Sequence, residues 1–141
     1  MPASKGLWVG DHVALPPGPG DEPRLEALVA LTFLAATTSR IGLAFGVLVL
    51  PQRHPVLLAK QLASLDVLTA GRLTVGIGAG YVEPELEALG MPMSERGART
   101  DEYLAAMQTL WSGTSDTPEV VCLHNAAFQD PSQVSELPPC S

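Results

Sequence analysis

The sequence predicts an α/β fold in which parallel strands alternate with helices. Three apolar, β-rich segments begin at Leu7, Ile41 and Leu73, so their starts are 34 and 32 residues apart. A helical pattern follows each segment, and this alternation is typical of a parallel sheet with right-handed crossovers. An eightfold barrel of about 250 residues has about 31 residues per unit, so the spacing fits a (β/α)8 barrel and leaves a doubly wound sheet as the alternative.

The first unit is a strand and a helix joined by a loop rich in proline and glycine. The strand is expected over residues 7–13 and the loop over residues 16–20. Asp21 is a suitable N-cap, and Pro23 fits the first helical turn because proline has no N–H to leave unpaired there. The helix is therefore expected over about residues 22–38.

The second unit begins with a nearly continuous apolar run over residues 41–50. Such a run is typical of a strand that is buried on both faces in a parallel sheet. Pro55 opens the next helix, which is expected to end near Thr69 with Gly71 at its C′ position.

The third unit has a strand that starts at Leu73 and ends in alternating glycines. A loop with one irregular turn is expected over residues 83–90, and Ser94 is a candidate cap for the last helix. No period holds beyond Gly113, which predicts an irregular tail. Trp8 is expected in the core, as is the apolar stripe of the last helix. That stripe consists of Tyr103, Leu104, Met107, Leu110 and Trp111.

The composition limits the class of protein. The 141 residues include 8 Lys and Arg against 15 Asp and Glu, and 46% are hydrophobic. This length supports one domain with a buried core, and the net charge of −7 argues against nucleic acid, whose phosphate backbone is also anionic. The longest apolar run has ten residues, whereas a membrane-spanning helix needs about 20. No apolar signal region follows Met1, so secretion is not expected. Two cysteines, Cys122 and Cys140, form neither a disulfide framework nor a metal cluster. A soluble cytoplasmic protein is therefore expected.

Candidate site residues lie where the strands end, because parallel α/β folds place their chemistry at the carboxyl ends of the strands. Asp11 and His12 end the first strand, and as neighbours they are expected to point to opposite faces. Histidine is the usual proton donor or acceptor near neutral pH, so His12 is a candidate for acid–base work. The alternative is that the pair caps the following loop.

Glycines in the second and third strands also have two interpretations. Gly46, inside an apolar strand, indicates either a bulge at which a ligand approaches the backbone or simple packing against a neighbouring strand. Gly76 and Gly78 begin a Rossmann-like pattern, but Tyr81 stands where the third glycine is required, so that match fails. Glycine at this strand end still lets a flat ring or a phosphate approach the backbone closely.

Arg99 follows Glu95 by four residues on the last helix. This spacing predicts an ion pair on a solvent-exposed helix face, which contributes little to stability. The alternative is that Arg99 contacts an anion near the carboxyl ends of the strands.

These segments, taken in order, resemble the bacterial luciferase-like monooxygenases, and they resemble most closely the branch that uses the deazaflavin coenzyme F-420. The resemblance runs from about Gly6 to Trp111. It implies an incomplete (β/α)8 TIM barrel in which residues 1–112 form about three βα units, similar to units two to four, and residues 113–141 form an irregular tail similar to the insertion before strand five. The segments that carry it are residues 7–13, 51–55, 59–60, 65–72, 76–80, 95–99 and 101–102.

The resemblance assigns roles at the first two strand ends. It implies that His12 lies beside the cofactor ring as the catalytic acid or base and that Asp11 contacts the ring system. Gly46 and Val47 match a bulge that supports the ring from behind and often contains a non-proline cis peptide bond.

The resemblance also assigns roles to residues in the third unit. Gly78 and Ala79 match positions that contact the ring or its linker, and Arg99 is similar to a basic position that holds the cofactor phosphate in flavin-using members. Sugar-phosphate dehydrogenases of the family have a glutamate where Ala79 stands, so that particular activity is not expected here.

The function implied by the resemblance is two-electron oxidoreductase or monooxygenase chemistry on a small organic substrate, with coenzyme F-420 or FMN as the cofactor. Three strands leave two open sheet edges, which favour pairing with another chain. The alternative is therefore a non-catalytic barrel fragment, or a half-barrel completed by a second polypeptide or a second copy. A wound-sheet nucleotide-binding module is a third possibility.

Overall fold

The computed structural model describes residues 6–13 and 24–113 of the chain. Three parallel strands, β1 (Gly6–Val9), β2 (Gly42–Val49) and β3 (Leu73–Gly78), form a sheet in the order β1–β2–β3. Each strand therefore lies beside the one that follows it in the sequence. The predicted parallel sheet with its strands in chain order is confirmed.

Helices follow each strand and bury apolar side chains against one face of the sheet. Each fully buried leucine or phenylalanine in this layer contributes about 1.5–3 kcal/mol. The helices are α1 (Ala27–Thr37), α2 (Pro55–Thr69), α3 (Glu83–Ala88) and α4 (Arg96–Ser112), and 3-10 turns span Leu50–Gln52 and Met93–Glu95. The core between sheet and helices contains Leu31 of α1, Leu43, Phe45 and Leu48 of β2, Leu58 and Leu62 of α2, and Met107 of α4.

Helix α1 begins later than expected. It starts at Ala27, not near residue 22, because the carboxylate of Glu26 accepts a hydrogen bond of 2.8 Å from the backbone N–H of Val29 and caps the helix there. The predicted cap Asp21, Pro23 and the loop over residues 16–20 lie outside the described residues.

Helix α2 has the predicted bounds. Pro55 opens it, and the chain leaves it through Ala70 and Gly71, which have φ values of 53° and 75°. The N–H of Gly71 donates to the carbonyl of Asp66 at 3.1 Å, as expected for a glycine just beyond a helix end.

Three other local expectations are wrong. β1 ends at Val9 instead of reaching residue 13, because beyond it the side chain of Asp11, not the main chain, accepts the hydrogen bond from the backbone N–H of Val49 on β2. The expected irregular turn after β3 is the six-residue helix α3. Ser94 lies inside the 3-10 turn that leads into α4, so Glu95 takes the cap position instead.

The two tryptophans differ from each other in burial. Trp111 packs against the core, and its indole N–H donates to the carbonyl of Ala59 at 3.2 Å. Trp8 is 66% exposed, so its prediction as a core residue is wrong. It pairs in register with Ala44 and therefore lies on the face opposite Phe45, away from the apolar core.

Arg72 closes the amino end of the sheet. Its guanidinium donates to the carbonyl oxygens of Thr69 at 2.8 Å, Ile41 at 2.8 Å and Thr38 at 3.0 Å. These acceptors lie at the end of α2, at the start of β2 and just beyond α1, so one side chain joins three elements.

Helix α4 ends at Ser112, and Gly113 follows with a φ of 67°. The predicted tail beyond it lies outside the described residues, so the division into 1–112 and 113–141 stays a prediction. Within residues 6–13 and 24–113, none of the helices has both the length and the apolar character needed to cross a membrane.

Candidate functional site

The carboxyl ends of all three strands meet at one side chain, Glu85. The Nδ1 atom of His12, which follows β1, lies 3.2 Å from Oε2 of Glu85 on α3, beyond β3. The Nε2 atom of Gln52, which follows β2, donates to the same carboxylate oxygen at 3.4 Å. We call these three residues the rim cluster. The prediction that the three strand ends share one rim is confirmed.

The rim cluster is only partly accessible to solvent. Glu85 is buried, with 2% of its surface exposed, whereas the His12 side chain is 20% exposed. The ring of Tyr81 lies edge-to-face against that of His12, with centroids 5.9 Å apart and an angle of 85° between the planes. Tyr81 itself is exposed, so the imidazole lies between a buried carboxylate and an accessible aromatic side chain.

Asp11 has partners different from those of His12. It is buried, and its Oδ2 accepts a 2.8 Å hydrogen bond from the backbone N–H of Val49 and a second from Arg53. Arg53 also donates to Oδ1 of Asp11 at 2.7 Å and to Glu26 at 2.6 Å. Asp11 therefore joins the end of β1 to the end of β2, and its predicted contact with a cofactor ring stays a prediction.

Asp11, Arg53 and Glu26 form an ion-pair group in which each partner stabilises the charged form of the other. Burial acts to raise the pKa of Glu26, but hydrogen bonds from Arg53 and from backbone N–H groups outweigh it, and the pKa lies below the usual 4.5. Burial also acts to lower the pKa of Arg53, but its hydrogen bonds to Asp11 and Glu26 outweigh that effect and raise the pKa. The guanidinium therefore stays charged.

Strand β2 contains the expected bulge. Phe45 pairs with Val75 and Leu48 pairs with Ile77, so two residues of β2, Gly46 and Val47, stand opposite one residue of β3. The peptide bond between Gly46 and Val47 is cis. The bulge and the cis bond are confirmed as geometry, whereas the role of these two residues in holding a ring stays a prediction.

The bulge lies on the side of the sheet opposite the core, which we call the open face. Gly46 and Val47 are exposed there beside the ring of Trp8. A Cβ atom on Gly46 would lie 2.7 Å from Cε3 of Trp8, and one on Gly78 would lie 2.7 Å from Cγ2 of Val47. A Cβ on Gly76 would lie 2.8 Å from the carbonyl oxygen of Phe45. The glycines therefore let the side chains of Trp8 and Val47 approach the sheet backbone closely, and both side chains are apolar and exposed.

The remaining predicted residues lie near this end of the sheet without joining the rim cluster. Gly78 ends β3, and Ala79 directly follows it in the loop that leads to α3. Arg99, in the first turn of α4, donates to Glu95 at 3.2 Å and 3.3 Å, and both side chains are largely exposed. This hydrogen bond raises the pKa of Arg99. The predicted ion pair is confirmed, and the role of Arg99 towards an anion stays a prediction.

Sequence reasoning missed two members of the rim cluster, Gln52 and Glu85. Three glutamates recur at alternate positions, Glu83, Glu85 and Glu87, and composition alone does not separate them. Only Glu85 is buried. Gln52 belongs to the segment 51–55 that carries the resemblance, but it was not singled out as a site residue. Its Oε1 is buried without a hydrogen-bond partner among the described residues.

A concavity of about 870 Å³ lies between α1 and α2 on the helix side of the sheet, away from the open face. Its apolar lining includes Val29, Phe33, Leu57 and Leu68, all of which are largely exposed. An exposed apolar surface of this kind is typical of a contact with another protein surface.

Comparisons with known proteins point to a single family. The family model described as luciferase-like monooxygenase matches residues 5–139. A 4-hydroxyprotoasukamycin monooxygenase from Streptomyces nodosus subsp. asukaensis is 36% identical over 136 residues, which are 94% of this chain and 36% of the relative. The oxygenase component of a flavin-dependent trigonelline monooxygenase from Acinetobacter baylyi is 32% identical over 124 residues, which are 86% of this chain and 31% of the relative.

Solved structures agree with these relatives. A monooxygenase from Streptomyces bottropensis superposes with a TM-score of 0.67 at 31% identity, over 77% of this chain and 32% of its own. An F-420-dependent secondary alcohol dehydrogenase, in complex with an F-420-acetone adduct, superposes with a TM-score of 0.66 at 25% identity, over 81% of this chain and 34% of its own. The chain thus spans about a third of the length of the proteins that it matches.

Proposed function

This chain belongs to the luciferase-like monooxygenase family, and we propose that its rim cluster and open face form part of a site for the ring of a flavin or a deazaflavin. The observation that carries the proposal is the Gly46–Val47 bulge on an exposed, apolar part of the sheet, beside Trp8. The names of two similar proteins support it, since one is flavin-dependent and the other is F-420-dependent.

The residues present fit a flat aromatic ring. At Gly46, Gly76 and Gly78 the backbone carries no Cβ, so Trp8 and Val47 lie close to the sheet and offer apolar contacts. A planar ring that lies on this surface removes apolar area from water on both partners. The bulge positions the ring, and the neighbouring side chains keep water from its covered side.

The cofactor supplies the two-electron step: hydride transfer for a deazaflavin, or activation of oxygen for reduced FMN. His12 holds or moves a proton beside the ring, because its imidazole is partly exposed at the rim and histidine is the usual side chain for acid–base work near neutral pH. Asp11 and Arg53 position the segments that follow β1 and β2, because their ion pair holds the ends of these two strands together.

The remaining residues carry finer parts of the proposal. Gly78 and Ala79 contact the ring or its linker from the end of β3. Arg99 contacts the phosphate if the cofactor is FMN, which requires it to exchange its bond to Glu95 for one to the phosphate. Ala79 offers no carboxylate, so sugar-phosphate oxidation is not part of the proposal. The substrate is a small organic molecule, and the compartment is the cytoplasm.

The second candidate is a barrel piece that needs further strands. β1 and β3 each have one neighbour within the described strands, so each leaves one edge with unpaired backbone groups. We propose that these edges pair with further barrel strands, supplied by additional sequence, by a second copy or by a complementing chain.

Ligand titration of the chain tests the first candidate. FMN and coenzyme F-420 are added separately while the fluorescence of ligand and tryptophan is followed. We expect binding of one of them to be weakened at least tenfold by His12→Ala and lost in Gly46→Val, whose new side chain overlaps the ring of Trp8.

Two matched variants serve as controls. His54→Ala removes an exposed histidine at the start of α2, and Gly10→Ala adds a Cβ that meets nothing within 4 Å. Both should bind like the original chain. If a folded sample binds neither ligand, the barrel-piece candidate replaces the first.

A further inference from the structure

We propose that Glu85 is a positioning residue that fixes the orientation and the neutral tautomer of the His12 imidazole. The inference deepens the proposed function and rests on it, because it concerns how His12 presents a nitrogen to the rim. Glu85 is not among the site residues predicted from the sequence, and the names of the similar proteins say nothing of its role.

The first step is the chemistry of the contact. Oε2 of Glu85 lies 3.2 Å from Nδ1 of His12, which is hydrogen-bond distance. An ionised carboxylate only accepts hydrogen bonds, so the proton of this bond belongs to Nδ1. In the neutral ring the lone pair then lies on Nε2, on the other side of the imidazole. Glu85 therefore sets which nitrogen is the base.

The second step is that the carboxylate itself is held in place. Glu85 is buried, and Gln52 donates to the same oxygen. The next residue, Leu86, is fully buried and packs with Val49 and Met91 in a second apolar cluster, which anchors α3 to the end of β2. The acceptor is thus part of the folded framework and does not follow the motion of the histidine.

The third step is that a second contact limits rotation of the ring. Tyr81 meets the imidazole of His12 nearly at a right angle, with centroids 5.9 Å apart. Rotating the imidazole by half a turn would break the bond to Glu85 and would bring a carbon atom to face the carboxylate. Two contacts from the segment beyond β3 thus define one orientation for a side chain that follows β1.

Nitrogen NMR of the 141-residue chain tests the inference without any cofactor. The ring-nitrogen shifts of His12 report which nitrogen carries the proton, and they are read above pH 8, where an ordinary imidazole is neutral. A charge-assisted hydrogen bond of usual strength shifts the ratio of the two tautomers about tenfold, so we expect Nδ1–H to predominate at His12. His54, exposed and with no side-chain cap bond, is the internal reference for an unconstrained ring.

Substitutions then separate positioning from mere packing. Glu85→Ala should return the tautomer ratio of His12 to that of His54, whereas Glu85→Gln, which keeps an acceptor oxygen of similar reach, should retain part of the Nδ1–H excess. Glu87→Ala, at an exposed glutamate on the same helix, should leave the His12 signals unchanged. Glu85→Gln is nearly isosteric, so it keeps the test available if Glu85→Ala does not fold.

The outcomes distinguish the inference from the proposed function. A majority of Nε2–H at His12 in the original chain, or an unchanged ratio in folded Glu85→Ala, would overturn the positioning role even if flavin binds. The opposite combination is also informative. If neither FMN nor coenzyme F-420 binds, the proposed function is overturned. If His12 in the same chain has an Nδ1–H majority that Glu85→Ala removes, the positioning role of Glu85 is still supported.

Discussion

The two ends of the sheet are each closed by an arginine, but the two arginines have different partners. At the carboxyl end, Arg53 donates to the carboxylates of Asp11 and Glu26. At the amino end, Arg72 donates to main-chain carbonyls and to the hydroxyl of Thr38 at 3.3 Å. The arginine at one end is therefore paired with carboxylates, and the arginine at the other end is bonded to uncharged acceptors.

This difference distinguishes an end that carries titratable side chains from an end that joins its elements through main-chain acceptors. Carbonyl acceptors satisfy Arg72 and leave no titratable partner. At the carboxyl end, the Asp11–Arg53 pair holds the strand ends together, and His12 is placed next to it against a second buried carboxylate, that of Glu85. In barrels of this kind, chemistry belongs to the carboxyl ends of the strands.

Replacing Arg53 should give the largest effect. Arg53→Met leaves the buried carboxylate of Asp11 without its charged partner, and breaking a buried pair in this way costs about 3–5 kcal/mol. Urea unfolding followed by circular dichroism measures the loss, and urea is preferred because it does not screen charges. In an Asp11→Asn background the same substitution should cost far less.

An exposed arginine provides the control for this prediction. Arg99→Met removes an ion pair whose two side chains are 41% and 49% exposed, so the unfolding curve should not move measurably. If Arg53→Met lowers the free energy of unfolding equally in the original chain and in Asp11→Asn, then the carboxylate of Asp11 is not the reason for the loss.

Replacing Arg72 should cost less than replacing Arg53. Arg72→Met removes hydrogen bonds to uncharged acceptors and leaves no buried charge behind, so we expect a loss of about 2 kcal/mol in the same urea experiment. A loss as large as that of Arg53→Met would show that the number of bonds matters more than the charge of the partners.

The fold was predictable where the signals are local. Pro55 and Gly71 mark both ends of α2, and the structure follows them. The early end of β1 was not predictable, because it depends on Asp11 reaching Arg53, which is 42 residues away in the sequence. Helix α3 was missed because six residues are too few for a helical period to be recognised.

The site was predictable in the same uneven way. His12 stands just beyond a strand end, so alternation of strand and helix was enough to single it out. Gly46 drew attention as a glycine inside an apolar strand, whereas Val47 was assigned only through the family resemblance. Glu85 was not found, because its importance comes from burial and from contact with a residue 73 positions earlier. A periodic pattern carries no information on contacts between units.

Acid should weaken the carboxyl end through Glu26. Its pKa in the folded chain lies below 4.5, so ionised Glu26 contributes stability that is present above about pH 4.5 and is lost as the pH falls through the lowered pKa. Because 44% of this side chain is exposed, Glu26→Gln should cost only about 0.5 kcal/mol at pH 7. Urea unfolding at pH 7 and near pH 3 should show that this difference disappears in acid, and a difference that persists there would contradict the ion-pair explanation.

Asp66 should show the opposite sign at the amino end, with the smallest effect of the four. Burial raises its pKa above the usual 3.8, and its carboxylate stands in the last turn of α2, where the helix dipole disfavours negative charge. The destabilising charge is absent in acid and develops as the pH rises through the raised pKa, so Asp66→Asn should increase stability by a few tenths of a kcal/mol at pH 7 and by nothing near pH 3. Asp101→Asn, at an exposed position on α4, is the matched control and should leave the urea midpoint unchanged. If Asp66→Asn instead destabilises the chain at neutral pH, then the carboxylate of Asp66 has a favourable partner, and the amino end of the sheet depends on charge as much as the carboxyl end does.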